Sequence, residues 1–290
     1  MRRFVFFACM LVLPASFLAA DLAQVVVDAD NLHDQGKFAD ARALLLEELN
    51  GVSGREASEL YWRASRECLE LGDKADKEKK PMTEVLAFFD EGARYADEAI
   101  RADPDADWGY FWKSVAILGR LGQVKGILNA LSKIGPIREL LFKVLEINPD
   151  RAIAWFVLGQ LYREVPGWPF SYGNTDVAVS LGRKAVDLNT SPVDAGNFQV
   201  ELAKTLYQRN WSADDRMVEQ KNKEAKLPAA TTTFEKGALF EATVSLRDES
   251  DRQEAKSIVQ EVIATMEAFT CLTASQSRDL QKAKDTLTRW

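Results

Sequence analysis

The chain holds a single histidine, His33, in 290 residues. That scarcity removes most zinc chemistry and most imidazole-based catalysis, which need clustered ligands or a nucleophile beside a base. No HExxH, CxxC or nucleophile-elbow pattern compensates for it. Basic residues are also in deficit: 37 Lys and Arg against 44 Asp and Glu leave a formal charge of −7. Nucleic-acid binding draws on clustered cations, so that partner class is set aside. Beyond Leu18 no apolar run reaches the roughly 20 residues a spanning helix needs, so the mature chain is not expected to cross a membrane. Of three cysteines, Cys68 and Cys271 fall on predicted helices at opposite ends of the chain, and free thiols are the expectation. The expectation is therefore no enzyme, no metal and no cofactor.

Three local features have a functional and a plainer reading. His33 falls at the end of the first predicted helix and reads as an exposed turn residue. Gly119, Gly122 and Gly126 are spaced like a phosphate loop but lack its Gly-Lys-Ser/Thr ending and the preceding strand; helix termination and close packing account for them better. Glu67, Glu70, Asp73, Asp76 and Glu78 alternate with Lys and Arg between Arg63 and Lys80, which reads as a solvated face.

At the N-terminus, Met1-Arg2-Arg3, the apolar stretch Phe4 to Leu18 and the small pair Ala19-Ala20 follow the order of a signal peptide, with cleavage expected after Ala20. Export follows from that reading, to a bacterial periplasm or by full secretion. The rest of the chain is helical by its periodicity. Small or apolar residues recur at helical spacing in three segments: Gly92, Ala96 and Ala99; Ile137, Leu141 and Val144; Ala178, Gly182 and Ala185. Asp103-Pro104, Asn148-Pro149 and Asn189-Thr190 stop these segments, because proline cannot continue a helix. Helices with large residues follow the first two stops, beginning near Asp107 and Ala152.

In the second of those helices, Trp155, Leu158, Gly159 and Tyr162 stand where the first helix of a tetratricopeptide (TPR) repeat carries a bulky residue, Leu, Gly and an aromatic. The chain from about 22 to 210 resembles the TPR family, with five helix pairs. The resemblance implies an all-α helical-hairpin solenoid in which small residues on one helix receive large ones from the next. Insertions within the third and fourth pairs, at 122–136 and 166–174, exceed the plain 34-residue repeat. They are similar to a narrower group, the exported bacterial TPR proteins like the T component associated with TRAP transporters. The eukaryotic regulators of microtubule dynamics resemble it more distantly.

The expected organisation is a signal peptide over 1–20, a TPR-like repeat domain over 21–211 and a C-terminal helical region over 212–290 that caps the solenoid. The first insertion is expected to form a short extra helix. Past Trp211, helices are expected over Ala213–Lys226, Glu235–Leu246, Arg252–Ala268 and Gln276–Trp290, with a break at Pro228–Phe234.

Mapping the family pattern onto the inner face selects Trp108, Phe111, Val115 and Leu118 in the third pair. It selects Ile153, Phe156, Gln160 and Arg163 in the fourth, and Asn197, Val200, Lys204 and Tyr207 in the fifth. Trp168, Phe170 and Tyr172 form a rim loop. Two readings stay open: these side chains are covered by the insertions or C-terminal helices and are core, or they line a groove. The resemblance implies an exported scaffold that binds a protein partner in the cell envelope. The alternative it implies is an accessory of solute uptake that binds a small apolar ligand, works with a periplasmic solute-binding protein and forms a homo-oligomer.

Overall fold

The computed structural model describes the backbone of residues 15–123, 127–191 and 195–290, and their side chains except 15–21, 127–131, 274 and 275. Most of the segment read as a signal peptide therefore lies outside the described residues. So does Gly126. The described part is all-α, with thirteen α-helices and no strand, and its contacts divide the chain into two units, Met1–Gly126 and Ile127–Trp290.

The first unit contains α1 (Ala15–Asp34), α2 (Phe38–Glu47), α3 (Gly54–Lys77), α4 (Met82–Ala102) and α5 (Asp107–Gln123). Helix α1 runs without a break past Ala20, the expected cleavage point. Gly36, at φ 73°, supplies the left-handed turn between α1 and α2. Ala29, Leu45, Leu60, Ala64 and Cys68 bury together as one core cluster, and Leu69, Val85, Phe89 and Ala116 as a second. Gly119 belongs to the second: a Cβ there would lie 2.5 Å from Phe89 Cε1, so the glycine serves close packing of α5 on α4.

The second unit contains α6 (Ile127–Ile147), α7 (Ala152–Glu164), α8 (Thr175–Leu188), α9 (Ala195–Arg209), α10 (Ala213–Lys226), α11 (Thr233–Ala238), α12 (Asp251–Glu267) and α13 (Ala274–Thr288). Two corrections to the expected elements arise here. The first insertion does not make a separate helix; its second half is the start of α6, which continues through Pro136. The helix expected over Glu235–Leu246 stops at Ala238 and gives way to a 3₁₀ turn at Phe240–Thr243. The physical reason is Glu241, which turns inward to meet the buried cations Arg209 and Lys223 and the half-buried Arg183.

That turn completes a charge network that holds α10 and α12 on α8 and α9. Arg209 donates to both oxygens of Asp251 at 2.8 Å and to both of Glu241 at 2.8 and 3.0 Å. Lys223 Nζ reaches Glu241 at 2.8 Å, Asp176 at 2.5 Å and the Ser180 hydroxyl at 3.1 Å. Arg183 bridges Glu241 and Glu254, and Arg216 contacts Asp251 and Glu254. Burial alone would raise the Glu241 carboxyl, but its hydrogen bonds to Arg209 and the neighbouring positive charges bring it far below the usual range. Alongside the network, α12 and α13 lay Val259, Val262, Met266 and Ala283 against Val200, Ala203 and Leu206 of α9.

Candidate functional site: an anchored aromatic loop

The side chains mapped to the inner face meet different fates. In the first unit, Trp108 stacks on Trp62 with ring centroids 5.1 Å apart and meets Phe111 edge-on at 5.5 Å. Phe111 is buried, Val115 packs on the Leu69–Phe89 core, and Leu118 is half-buried. In the second unit, Phe156 is buried and stacks on Phe198 at 4.2 Å, while Ile153 and Gln160 are half-buried. Arg163 is committed to the Glu201 carboxylate at 2.7 Å and the Glu201 carbonyl at 3.2 Å. Val200 is fully buried under α12. Tyr207 is stacked flat on Trp290 at 4.2 Å. Asn197 accepts from Lys282 at 2.7 Å, and Lys204 pairs with Glu201 at 2.9 Å. Within each unit these residues form packed clusters, with Phe111, Phe156 and Val200 as core.

The face of α3 carries a feature that the sequence reading passed over. The Trp62 indole, itself buried, stacks with Trp108 and carries the Arg63 guanidinium 4.1 Å from its ring centre. Asp30 accepts from both Arg63 and Arg66. Glu67 is fully buried and receives Arg66 at 2.8 Å and His33 Nδ1 at 3.0 Å. These contacts correct two expectations: His33 is a half-buried partner of Glu67, not an exposed turn residue, and Glu67 is not part of a solvated face. Burial beside that pair raises the neighbouring Glu70 carboxyl.

The loop after α7 behaves differently from everything else mapped. Val165 leaves the helix in an extended conformation, and the amide of Gly173 then donates to Pro166 O at 2.9 Å, closing the loop on itself. A Cβ on Gly173 would sit 1.9 Å from Val165 O, so only glycine permits that closure. The amide of Asn174 donates to Tyr162 O at 2.8 Å, and the Asn174 side chain caps α8 by accepting from the amides of Asp176 and Val177. Tyr172 is the loop's inward anchor. Its hydroxyl donates to Ile134 O at 3.1 Å, its ring leans on Tyr162 at 4.9 Å, and the Arg138 guanidinium lies 4.4 Å from its face. Burial accordingly pushes the Tyr172 phenol upward.

The same anchored loop turns Trp168 and Phe170 outward, at 91% and 78% exposure, the most exposed large apolar side chains among the described residues. Exposed aromatics lose water-contact cost only when something covers them, and Trp is the residue type most enriched at the energetic centres of interfaces. A loop fixed at both ends and by Tyr172 presents them with little ordering left to do on binding.

The family model for regulator of microtubule dynamics proteins 1–3 matches residues 25–170, from α1 to Phe170 of this loop. The chain belongs to that family. Regulator of microtubule dynamics protein 1 of Bos taurus is 27% identical to it over 142 residues, which are 48% of this chain and 41% of that protein. The chain thus spans less than half the length of the curated relative it matches.

Membership among the regulators of microtubule dynamics overturns both the TPR family assignment and the narrower expectations drawn from it. The relation read as more distant is the one that matches, in place of TPR proteins of the exported, T-component type. Small-against-large periodicity is common to stacked helix pairs generally, so it fixes the all-α class without choosing the family. The envelope scaffold, the solute-uptake accessory, the periplasmic solute-binding partner and the periplasmic or secreted location fall with that correction.

Proposed function

We propose that this chain regulates microtubule dynamics as a non-catalytic binding protein, and that Trp168 and Phe170 are its principal contact with a protein of the microtubule. The exposure of these two aromatics on an anchored loop inside the family-matched segment is the observation that carries the reading. The family to which the chain belongs supplies the process. A binding role is also consistent with the buried ionisable groups, because Arg209, Lys223, Glu241 and Asp251 are all satisfied by one another and hold helices together. Tyr172 positions the contact without forming it.

The test is co-sedimentation with polymerised tubulin. The wild-type chain is expected to pellet with microtubules, and Trp168→Ser/Phe170→Ser to remain largely in the supernatant with an unchanged melting temperature. Equal pelleting of the two proteins would remove the loop from the contact. No pelleting of the wild type would remove the direct-binding reading.

A further inference from the structure

A cavity of about 580 Å³ opens in the second unit between α7, α8, α11 and two 3₁₀ turns, Leu227–Ala229 and Phe240–Thr243. Its floor is Trp155, fully buried and fixed by the hydrogen bond from Nε1 to Pro149 O at 2.7 Å. Gly237 lies flat on the indole, and Leu227 and Phe240 supply the apolar walls. Half-buried Lys184 and exposed Lys236 are the basic residues in the lining of this apolar chamber. Lys184 Nζ is 4.8 Å from the centre of the Phe240 ring. Neither lysine forms an ion pair among the described residues, whereas Arg183, Arg209, Lys223 and Lys282 of the same unit are paired. The only carboxylate in the lining is Asp150, so the cavity carries a net positive charge.

From this arrangement we infer that the cavity is a binding site for a small amphipathic anion: a carboxylate or sulfonate near Lys184 and Lys236, with an aromatic or short aliphatic body against Leu227 and Phe240. The volume falls in the range of roughly 300–1,000 Å³ usual for small-molecule sites, and an apolar chamber with a few convergent polar groups is their usual composition. An anion gains from two cations that have no carboxylate partner to give up. Most of the lining lies beyond residue 170, outside the family-matched segment, so the site is independent of the aromatic loop and of the microtubule reading.

The full chain is titrated with 1-anilinonaphthalene-8-sulfonate, followed by fluorescence and by isothermal calorimetry, beside the neutral parent 1-anilinonaphthalene. One saturable site is expected, with the sulfonate preferred on the order of ten-fold, which corresponds to about 1.4 kcal/mol. Lys184→Gln and Lys236→Gln together should abolish that preference while leaving the melting temperature of the free protein unchanged. Phe240→Ala should weaken both probes alike. Equal affinity for the two probes, or a sulfonate affinity untouched in the double lysine variant, would overturn the assignment.

Discussion

Arg209 and Asp251 face each other across the junction of α9 and α12, joined by two hydrogen bonds of 2.8 Å with neither side chain open to solvent. A buried pair of this kind contributes little net stability relative to an apolar pair of the same shape, but removing one partner strands the other charge. Arg209→Met is therefore expected to destabilise the second unit by about 3–5 kcal/mol. Denaturant unfolding followed by far-ultraviolet circular dichroism measures the loss, and a cost within about 1 kcal/mol of zero would mean that water reaches Asp251.

Gly237 has no room for a side chain. A Cβ at that position would come within 2.2 Å of Trp155 Cζ3, and the indole cannot retreat without giving up its hydrogen bond to Pro149. Gly237→Ala should cost about 1–3 kcal/mol through overpacking. Thermal unfolding of the variant reads this, accompanied by a change in Trp155 fluorescence; an unshifted midpoint would show that α11 yields instead.

Acid should act visibly at Glu201. Burial pushes this carboxyl up, yet hydrogen bonds from Lys282 and Lys204 and the charge of Arg163 more than reverse that, lowering it from 4.5 to about 2. A carboxyl held lower in the folded state than in the unfolded chain adds stability that is fully present above about pH 4.5. It is lost as pH falls toward 2. The contribution is on the order of 3 kcal/mol. The stability gap between wild type and Glu201→Gln should be widest at pH 6 and narrow steadily below pH 4.5, and a gap that does not vary with pH would contradict the assigned ion pairs.

Thiol reactivity should separate Cys68 from Cys271. Cys68 is buried, and burial pushes its thiol up to about 12 despite the hydrogen bond from Arg42. Cys271 is exposed. Alkylation by iodoacetamide at pH 8, mapped by peptide mass spectrometry, should label Cys271 in the native protein and Cys68 only after unfolding, because the thiolate is the reactive form. Comparable labelling of both would indicate that α3 opens readily.

Helix starts were the most legible part of the fold. The C-terminal helices announce themselves through Ser212 with Asp215, Thr232 with Glu235, Ser250 with Gln253 and Thr273 with Gln276, each a reciprocal capping box in the structure. The end of α11 was less legible, because that helix stops to deliver Glu241 to Arg209, a partner 32 residues away. The same limit applies to Glu67 and His33. A charged residue among charged neighbours reads as solvated, and only the packing of α1 on α3 makes the pair a buried one.

Part of the candidate site was legible for a simple reason: Pro-Gly-Trp-Pro-Phe-Ser-Tyr-Gly-Asn combines turn formers with aromatics over nine residues. Which aromatic faces inward was not, since that depends on Tyr172 reaching Ile134 O and Arg138 on α6. The mapped inner-face residues point the same way. The resemblance placed Val200 and Phe156 on an inner face, but α12 and Phe198, which cover them, come from elsewhere in the chain.

The most direct measurement is of single-microtubule dynamics, with purified tubulin and the full chain added at increasing concentration under fluorescence microscopy. The account predicts a concentration-dependent change in growth rate or catastrophe frequency that Trp168→Ser/Phe170→Ser removes while the variant stays folded. Dynamics unaffected by the wild-type chain, or altered equally by the loop variant, would contradict it.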